Sequence, residues 1–200
     1  MKKIFLFLFI AFPLVFIACD EIMSPEGTTT GSMNITIGGE QHLFDVATYQ
    51  KKGNGVIITS TEVENTLTIT LDSTIAKTYI LGFDRDIRDT NYIKGNMYLE
   101  IDSMLNTKNA LAYFPTGDFD NYFLALMGKV IISEISSEKV VGTFSGYGMR
   151  KDTLLVLKDE FKDFILNPGL YPEENYIDSL LMRFTQNTKE FSGEINARSY

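Results

Sequence analysis

From Met33 onward, hydrophobic and polar residues alternate along most of the chain, which is the pattern of half-buried β-strands. Turn residues, such as Gly38-Gly39 and Asn54-Gly55, separate these segments. Short strands at intervals of about 8–12 residues, with turns between them, predict an antiparallel β-sandwich or β-barrel. The predicted strands are Met33–Ile37, His42–Tyr49, Val56–Thr61, Thr66–Leu71, Thr78–Phe83, Met97–Ile101, Ala110–Phe114, Phe123–Ile135 and Val140–Met149.

The hydrophobic period changes to that of a helix near Lys151. Apolar residues at helical spacing predict helices over Asp152–Leu166 and Pro172–Phe184, and alternation returns in Glu190–Tyr200. The chain is therefore predicted to be mainly β, with a two-helix insertion (residues 150–189) before the last strand. Because the flanking strands interleave small and apolar residues, we predict that they are neighbours and that the helices cover a core face or a barrel end.

The N-terminus has the features of a secretory signal. Lys2-Lys3 precedes an uncharged run from Ile4 to Ala18, which Pro13 interrupts. A membrane-spanning helix needs about 20 apolar residues, whereas the apolar part of a signal peptide needs about 7–15 and ends at a small residue. Residues 1–18 are therefore predicted to be a cleaved signal peptide rather than a transmembrane anchor.

Cys19, the only cysteine, directly follows this run. Phe16-Ile17-Ala18-Cys19 resembles a bacterial lipobox, which implies cleavage before Cys19 and a diacylglyceryl group on its thiol. The alternative is a buried free cysteine; a catalytic thiol is disfavoured because Asp20 and Glu21 would not lower its pKa. Residues 19–32 are then the lipidated cysteine and a flexible tether, and residues 33–200 form one β-rich domain.

Three short motifs in the second half of the chain combine glycine with β-branched or aromatic residues. They are Gly128–Ser133, Gly142–Ser145 and Phe191–Ile195. Together with Asn34–Ala47, they are similar to an uncharacterised group of small Bacteroidota lipoproteins with a domain of unknown function. The resemblance implies a β-rich fold and a cell-envelope location, as an outer-membrane lipoprotein that is periplasmic or surface-exposed. Asp20-Glu21 resembles a short surface-export signal of that phylum.

The acidic composition excludes some partners. The net charge is −8, and loss of Lys2 and Lys3 with the signal peptide makes it −10. This balance argues against nucleic-acid binding, which depends on cationic side chains that neutralise phosphates. The membrane partner is instead expected to be engaged through acyl chains on Cys19, since two or more chains give stable attachment.

Few residues indicate chemistry. His42 is the only histidine, no Gly-x-Ser-x-Gly motif occurs, and the sequence interpretation of His42 is a strand-edge or surface residue. Asp118, Asp120 and Asn121 offer the oxygen ligands that calcium prefers, but they lack the remaining spacing of an EF-hand. The acidic stretch Asp84–Asp89 is predicted to pair with its own arginines. No cofactor and no catalytic residue are predicted.

The sequence thus predicts a lipid-anchored, non-enzymatic protein of the cell envelope. One alternative is a glycan- or protein-binding surface module; the chain has no Trp, and tyrosines in or near loops would have to contact a sugar. These are Tyr92, Tyr113, Tyr122, Tyr147 and Tyr171. The other alternative is a carboxylate-based hydrolase, which needs two carboxylates across a cleft.

Overall fold

The computed structural model describes residues 30–83, 108–118, 120–171 and 175–200. Within them, the strands are β1 (Gly31–Ile37), β2 (Glu40–Lys52), β3 (Gly55–Glu62), β4 (Asn65–Leu71), β5 (Thr78–Gly82), β6 (Ala110–Phe114), β7 (Phe123–Ile135), β8 (Lys139–Arg150) and β9 (Lys189–Ser199). The helices are α1 (Lys151–Leu166) and α2 (Tyr176–Asn187). The mainly β class with two helices before the last strand is confirmed. The predicted strand Met97–Ile101 and the predicted lipidation site, Cys19, lie outside the described residues.

Eight of these strands close into an antiparallel barrel. Around it the order is β1, β2, β3, β4, β6, β7, β8 and β9, and β9 pairs again with β1. β6 pairs only with the first residues of β7, and β5 pairs with β7 further along the same edge. Of the two architectures that the sequence allowed, the barrel is the one that forms.

Several element boundaries differ from the prediction, and those of β1 and β3 have a clear physical reason. β1 begins at Gly31, within the predicted tether, because Gly31 and Ser32 already pair with Ala47 and Asn196. The turn before β3 consists of Gly53 and Asn54, which leaves Gly55 as the first residue of the strand. Gly53 has a φ of +60°, the left-handed conformation that glycine adopts without steric cost.

Inward-facing side chains fill the barrel. Ile35, Ile58, Ile69, Leu111 and Val130 come from five different strands and are each 0% exposed. An eight-stranded barrel has an interior just wide enough for side chains or for one small ligand. The middle of this barrel is therefore a packed core, and space for a ligand is left only toward its ends.

The two helices pack on the outside of β7 and β8. A β-bulge at Leu126 lies between Ala125 and Met127, and Leu124 and Leu126 form a second core with the helices. The predicted apolar stripes are confirmed: their buried residues are Leu154, Leu157 and Phe161 in α1 and Leu180, Leu181 and Phe184 in α2. No helix in the described part of the chain is sufficiently long and apolar to span a membrane.

The predicted pairing of the strands that flank the insertion is also confirmed. β8 and β9 pair along their whole length, so the chain leaves β8 through Arg150 and returns at Lys189 at the same end of the barrel. This end also holds the β1–β2 turn and the C-terminal end of β6. The insertion therefore places the start of α1 and the end of α2 beside one mouth of the barrel.

Candidate functional site

A cavity of about 440 Å³ opens at this mouth of the barrel. It lies between the β1–β2 turn, the ends of β6 and β8, the starts of β7 and β9, and the adjoining ends of the two helices. Ligand pockets in proteins have volumes of about 300–1,000 Å³ and combine apolar walls with a few polar groups. The size and position of this cavity make it the candidate ligand site.

The inner wall of the cavity is apolar. Phe123 at the start of β7 is 5% exposed and Met149 near the end of β8 is 1% exposed, and Ile37 from β1 lines the cavity beside them. Phe123 packs edge-on against Phe191, with ring centroids 5.9 Å apart. Because Phe123 and Ile37 pack in the barrel core and Met149 packs in the second core under the helices, the wall is preformed.

A hydrogen-bonded pair from β2 and β6 lines another side. The Tyr113 hydroxyl lies 3.2 Å from His42 Nδ1 and 3.2 Å from Oδ1 of Asn65, the first residue of β4. Asn65 Oδ1 also accepts the backbone N–H of Thr116 at 3.2 Å, which identifies it as the amide oxygen. The phenol must therefore donate to Asn65, and His42 Nδ1–H must donate to the phenol oxygen. This arrangement leaves Nε2 of neutral His42 as an acceptor.

Burial raises the pKa of the Tyr113 hydroxyl above its ordinary value, and the negative charge of Glu40 adds to the effect. Burial disfavours the charged phenolate because the interior solvates it less well than water does. Tyr113 therefore stays a neutral hydrogen-bond donor at physiological pH. Glu40, at the start of β2, also lines the cavity.

Two cationic side chains complete the rim, at the end of β8 and the start of β9. Arg150 donates through Nε to Asn121 Oδ1 at 3.3 Å, and the same Nε lies 3.6 Å from Asp152 Oδ1. The stem of Lys189 lies over the β1–β2 turn, since its Cδ is 3.4 Å from where a Cβ of Gly38 would be. Both stems are thereby positioned next to the cavity.

The candidate calcium ligands have another role in this structure. Asp118 Oδ1 accepts the backbone N–H groups of Asp120 and Asn121, each at 3.0 Å, which closes a turn before β7. That turn holds Asn121 where its amide oxygen meets Arg150. Within the described ranges, no group of three or more His, Cys, Asp or Glu side chains could hold a metal ion.

The structure separates the other residues that the sequence singled out. Tyr113 is 5% exposed, Tyr122 and Tyr171 pack against Phe114 and Tyr176, and these tyrosines do not form one exposed face. Tyr92 and Asp84–Asp89 lie outside the described residues. His42 is half-buried at the cavity rather than free on the surface.

Sequence reasoning missed Tyr113 as a partner of His42, and it missed Arg150 and Lys189. No local signal marks them, because they are far apart in the chain and meet only when the barrel closes. The sequence contains one indication, since the two strands that flank the insertion are predicted to be neighbours. If they pair, Arg150 and Lys189 come to the same end of the sheet.

A second groove, of about 510 Å³, lies on the outside of β1, β8 and β9. Two of its polar side chains are already paired: Asn34 Nδ2 donates to Glu194 Oε2 at 3.5 Å, and Lys139 forms an ion pair with Glu134 at 2.8 Å. The groove runs over a sheet surface, and two of its lining residues, Val141 and Ile195, have large apolar side chains. We therefore assign the candidate site to the cavity.

Comparison with protein-family models, with curated proteins and with solved structures finds no match for this chain. The resemblance to Bacteroidota lipoproteins therefore stays a prediction.

Proposed function

We propose that this chain is a lipid-anchored, non-enzymatic binding module of the cell envelope, which takes a small ligand in the cavity at the end of its barrel. The single observation that carries the binding role is the cavity of about 440 Å³, with its preformed apolar wall and polar rim. The anchoring role is supported by the lipobox-like sequence that ends at Cys19.

The chemistry of the lining favours binding over catalysis. Among the described residues that line the cavity, Glu40 is the one carboxylate and no serine is present. A glycosidase-type mechanism needs two carboxylates across the cleft, and a Ser-His mechanism needs a serine beside the imidazole. His42 instead bonds to a buried phenol, so the hydrolase alternative gains no support from this site.

A blocking variant tests the cavity. In Thr153→Trp, an indole at the start of α1 would fill the mouth, whereas Thr143→Trp places it in the outer groove of β8. Saturation-transfer NMR with a library of neutral and charged fragments, on the full chain in lipid nanodiscs, should give signals that Thr153→Trp removes and Thr143→Trp keeps. No binding, or loss only in Thr143→Trp, would refute a ligand site at the barrel end.

Metabolic labelling tests the anchor. A palmitate analogue supplied to cells that produce the protein should label the wild type and leave Cys19→Ser unlabelled. Equal labelling of the two proteins would show that the acyl chains are not on Cys19. This result is independent of the fragment experiment, so each half of the proposal can fail alone.

A further inference from the structure

The rim of the cavity has a charge opposite to that of the protein. The chain has a net charge of −8, yet the described lining residues include two cations, Arg150 and Lys189, against the single carboxylate Glu40. The cations come from adjacent strands: Lys189 is the register partner of Gly148, two residues before Arg150. They therefore form one cationic side of the mouth.

Arg150 has donors to spare for a ligand. A guanidinium carries five N–H donors in a planar fork, and its contacts in the described part of the chain run through Nε alone. Asp152 is its ion-pair partner, but the approach is at Nε, 3.6 Å from Asp152 Oδ1, which leaves the two Nη groups for a ligand. The fork suits a carboxylate, which it binds through two parallel hydrogen bonds.

Lys189 adds a second positive charge close by. Its stem is supported by the Gly38 turn, and no carboxylate of the described residues lies within 4.0 Å of its ammonium group. An anion at the mouth would thus meet two positive charges.

The remaining surface of the cavity suits an apolar body. Ile37, Phe123 and Met149 form the inner wall. A sugar would need an exposed ring face on which to stack, but Tyr113 and Phe123 are each only 5% exposed. The walls therefore favour a compact apolar group over a glycan.

We propose that the cavity binds a small organic carboxylate with an apolar body, the carboxylate at Arg150 and Lys189 and the body against the inner wall. This inference rests on the proposed function, since it names the ligand class of the same cavity. Glu40 opposes the ligand charge and so limits its affinity.

Phenylacetate is the probe, and phenylacetamide is its uncharged counterpart with the same apolar body. Calorimetric titration of the full chain in nanodiscs should show phenylacetate binding about tenfold more tightly than phenylacetamide, because hydrogen bonds between charged groups are stronger than those to a neutral amide. Arg150→Gln and Lys189→Gln should each weaken phenylacetate about tenfold and leave phenylacetamide unchanged. Lys51→Gln is the matched control, because Lys51 lies at the end of β2 that is remote from the cavity. It should leave the affinity for both probes unchanged.

Glu40→Gln should have the opposite effect. Because it removes a charge that repels the ligand, the affinity for phenylacetate should rise several-fold. Each variant is checked by thermal unfolding, so that a loss of binding is not a loss of fold. Equal affinity for the two probes, or no binding of phenylacetate by a protein whose cavity takes neutral fragments, would overturn the inference and leave the proposed function standing. Failure of every fragment at the cavity would instead remove the proposed function.

Discussion

The ring of Phe144 lies over Gly193, directly across the β8–β9 pair. A Cβ at Gly193 would be 2.3 Å from Phe144 Cζ and 2.1 Å from the backbone oxygen of Asn34. The same arrangement recurs two residues further along β8 with the strands exchanged, since Gly146 of β8 faces Phe191 of β9. The rings of Phe144 and Phe191 are 6.2 Å apart. Each ring takes the space that a side chain on the opposite strand would need, so the two strands fit in this register.

Gly193→Ala should therefore lower the free energy of unfolding by about 1–3 kcal/mol, the usual cost of overpacking a core. Equilibrium unfolding in urea measures the change. Gly169→Ala is the matched control, because nothing lies within 4 Å of a Cβ at that position. A Gly193→Ala protein as stable as the wild type would contradict the packing of Phe144 against glycine.

Ser60 makes the hydrogen bond that closes a bulge in β2. It is 1% exposed, and its hydroxyl donates to the backbone oxygen of Val46 at 2.5 Å. Ser60→Ala leaves that carbonyl without its partner, so we expect a loss of about 1–3 kcal/mol in urea unfolding. Ser133→Ala, which removes an exposed hydroxyl bonded to Val141, should cost less. Equal costs for the two variants would argue against a buried bond at Ser60.

The helices should be as stable as the barrel, because they share a core with it. Leu157 in α1 is 1% exposed, and Leu157→Ala should cost about 2–5 kcal/mol. Its neighbour Val156 is 53% exposed, so Val156→Ala should change stability by less than about 0.5 kcal/mol. Amide hydrogen exchange should show that α1 and the barrel open together in the wild type; separate opening would contradict a shared core.

A phenol–carboxylate pair near the helix connection predicts a dependence of stability on alkaline pH. Tyr171 donates to Asp163, and this hydrogen bond raises the pKa of Tyr171 to about 12. The unfolded tyrosine ionises near its ordinary pKa of about 10, so the folded protein retains a proton that the unfolded chain has lost. The free energy of unfolding should therefore fall as the pH rises from about 10 to about 12.

Urea unfolding at a series of alkaline pH values measures this slope. It should be smaller in Tyr171→Phe than in the wild type. Tyr200→Phe, which changes a side chain that is 97% exposed, is the control and should keep the slope. An unchanged slope in Tyr171→Phe would show that the Tyr171–Asp163 bond does not form in solution.

The tautomer of His42 tests the geometry of the candidate site. Because the Tyr113 phenol donates to Asn65, neutral His42 should carry its proton on Nδ1. The chain has a single histidine, so long-range ¹H–¹⁵N spectra report on it without ambiguity. Tyr113→Phe should shift the tautomer balance toward Nε2–H, and a wild-type protein already in the Nε2–H form would contradict the hydrogen-bond order.

The strands, the helical insertion and the neighbourhood of β8 and β9 were all predictable from the sequence. Each depends on local periodicity, on turn residues such as Gly38-Gly39, or on matched small and apolar positions in two segments. The lipobox-like run before Cys19 is local too, and the anchor predicted from it stays a prediction.

The site needed the tertiary structure. His42 and Tyr113 are separated by 71 positions, and they meet only because the curved sheet brings the ends of β2 and β6 together, with β3 and β4 between these strands. Sequence spacing likewise does not show that the Asp118 carboxylate accepts the backbone N–H groups of Asp120 and Asn121. Local patterns determine which segments form strands and helices, whereas closure of the sheet decides which of their end residues share a cavity.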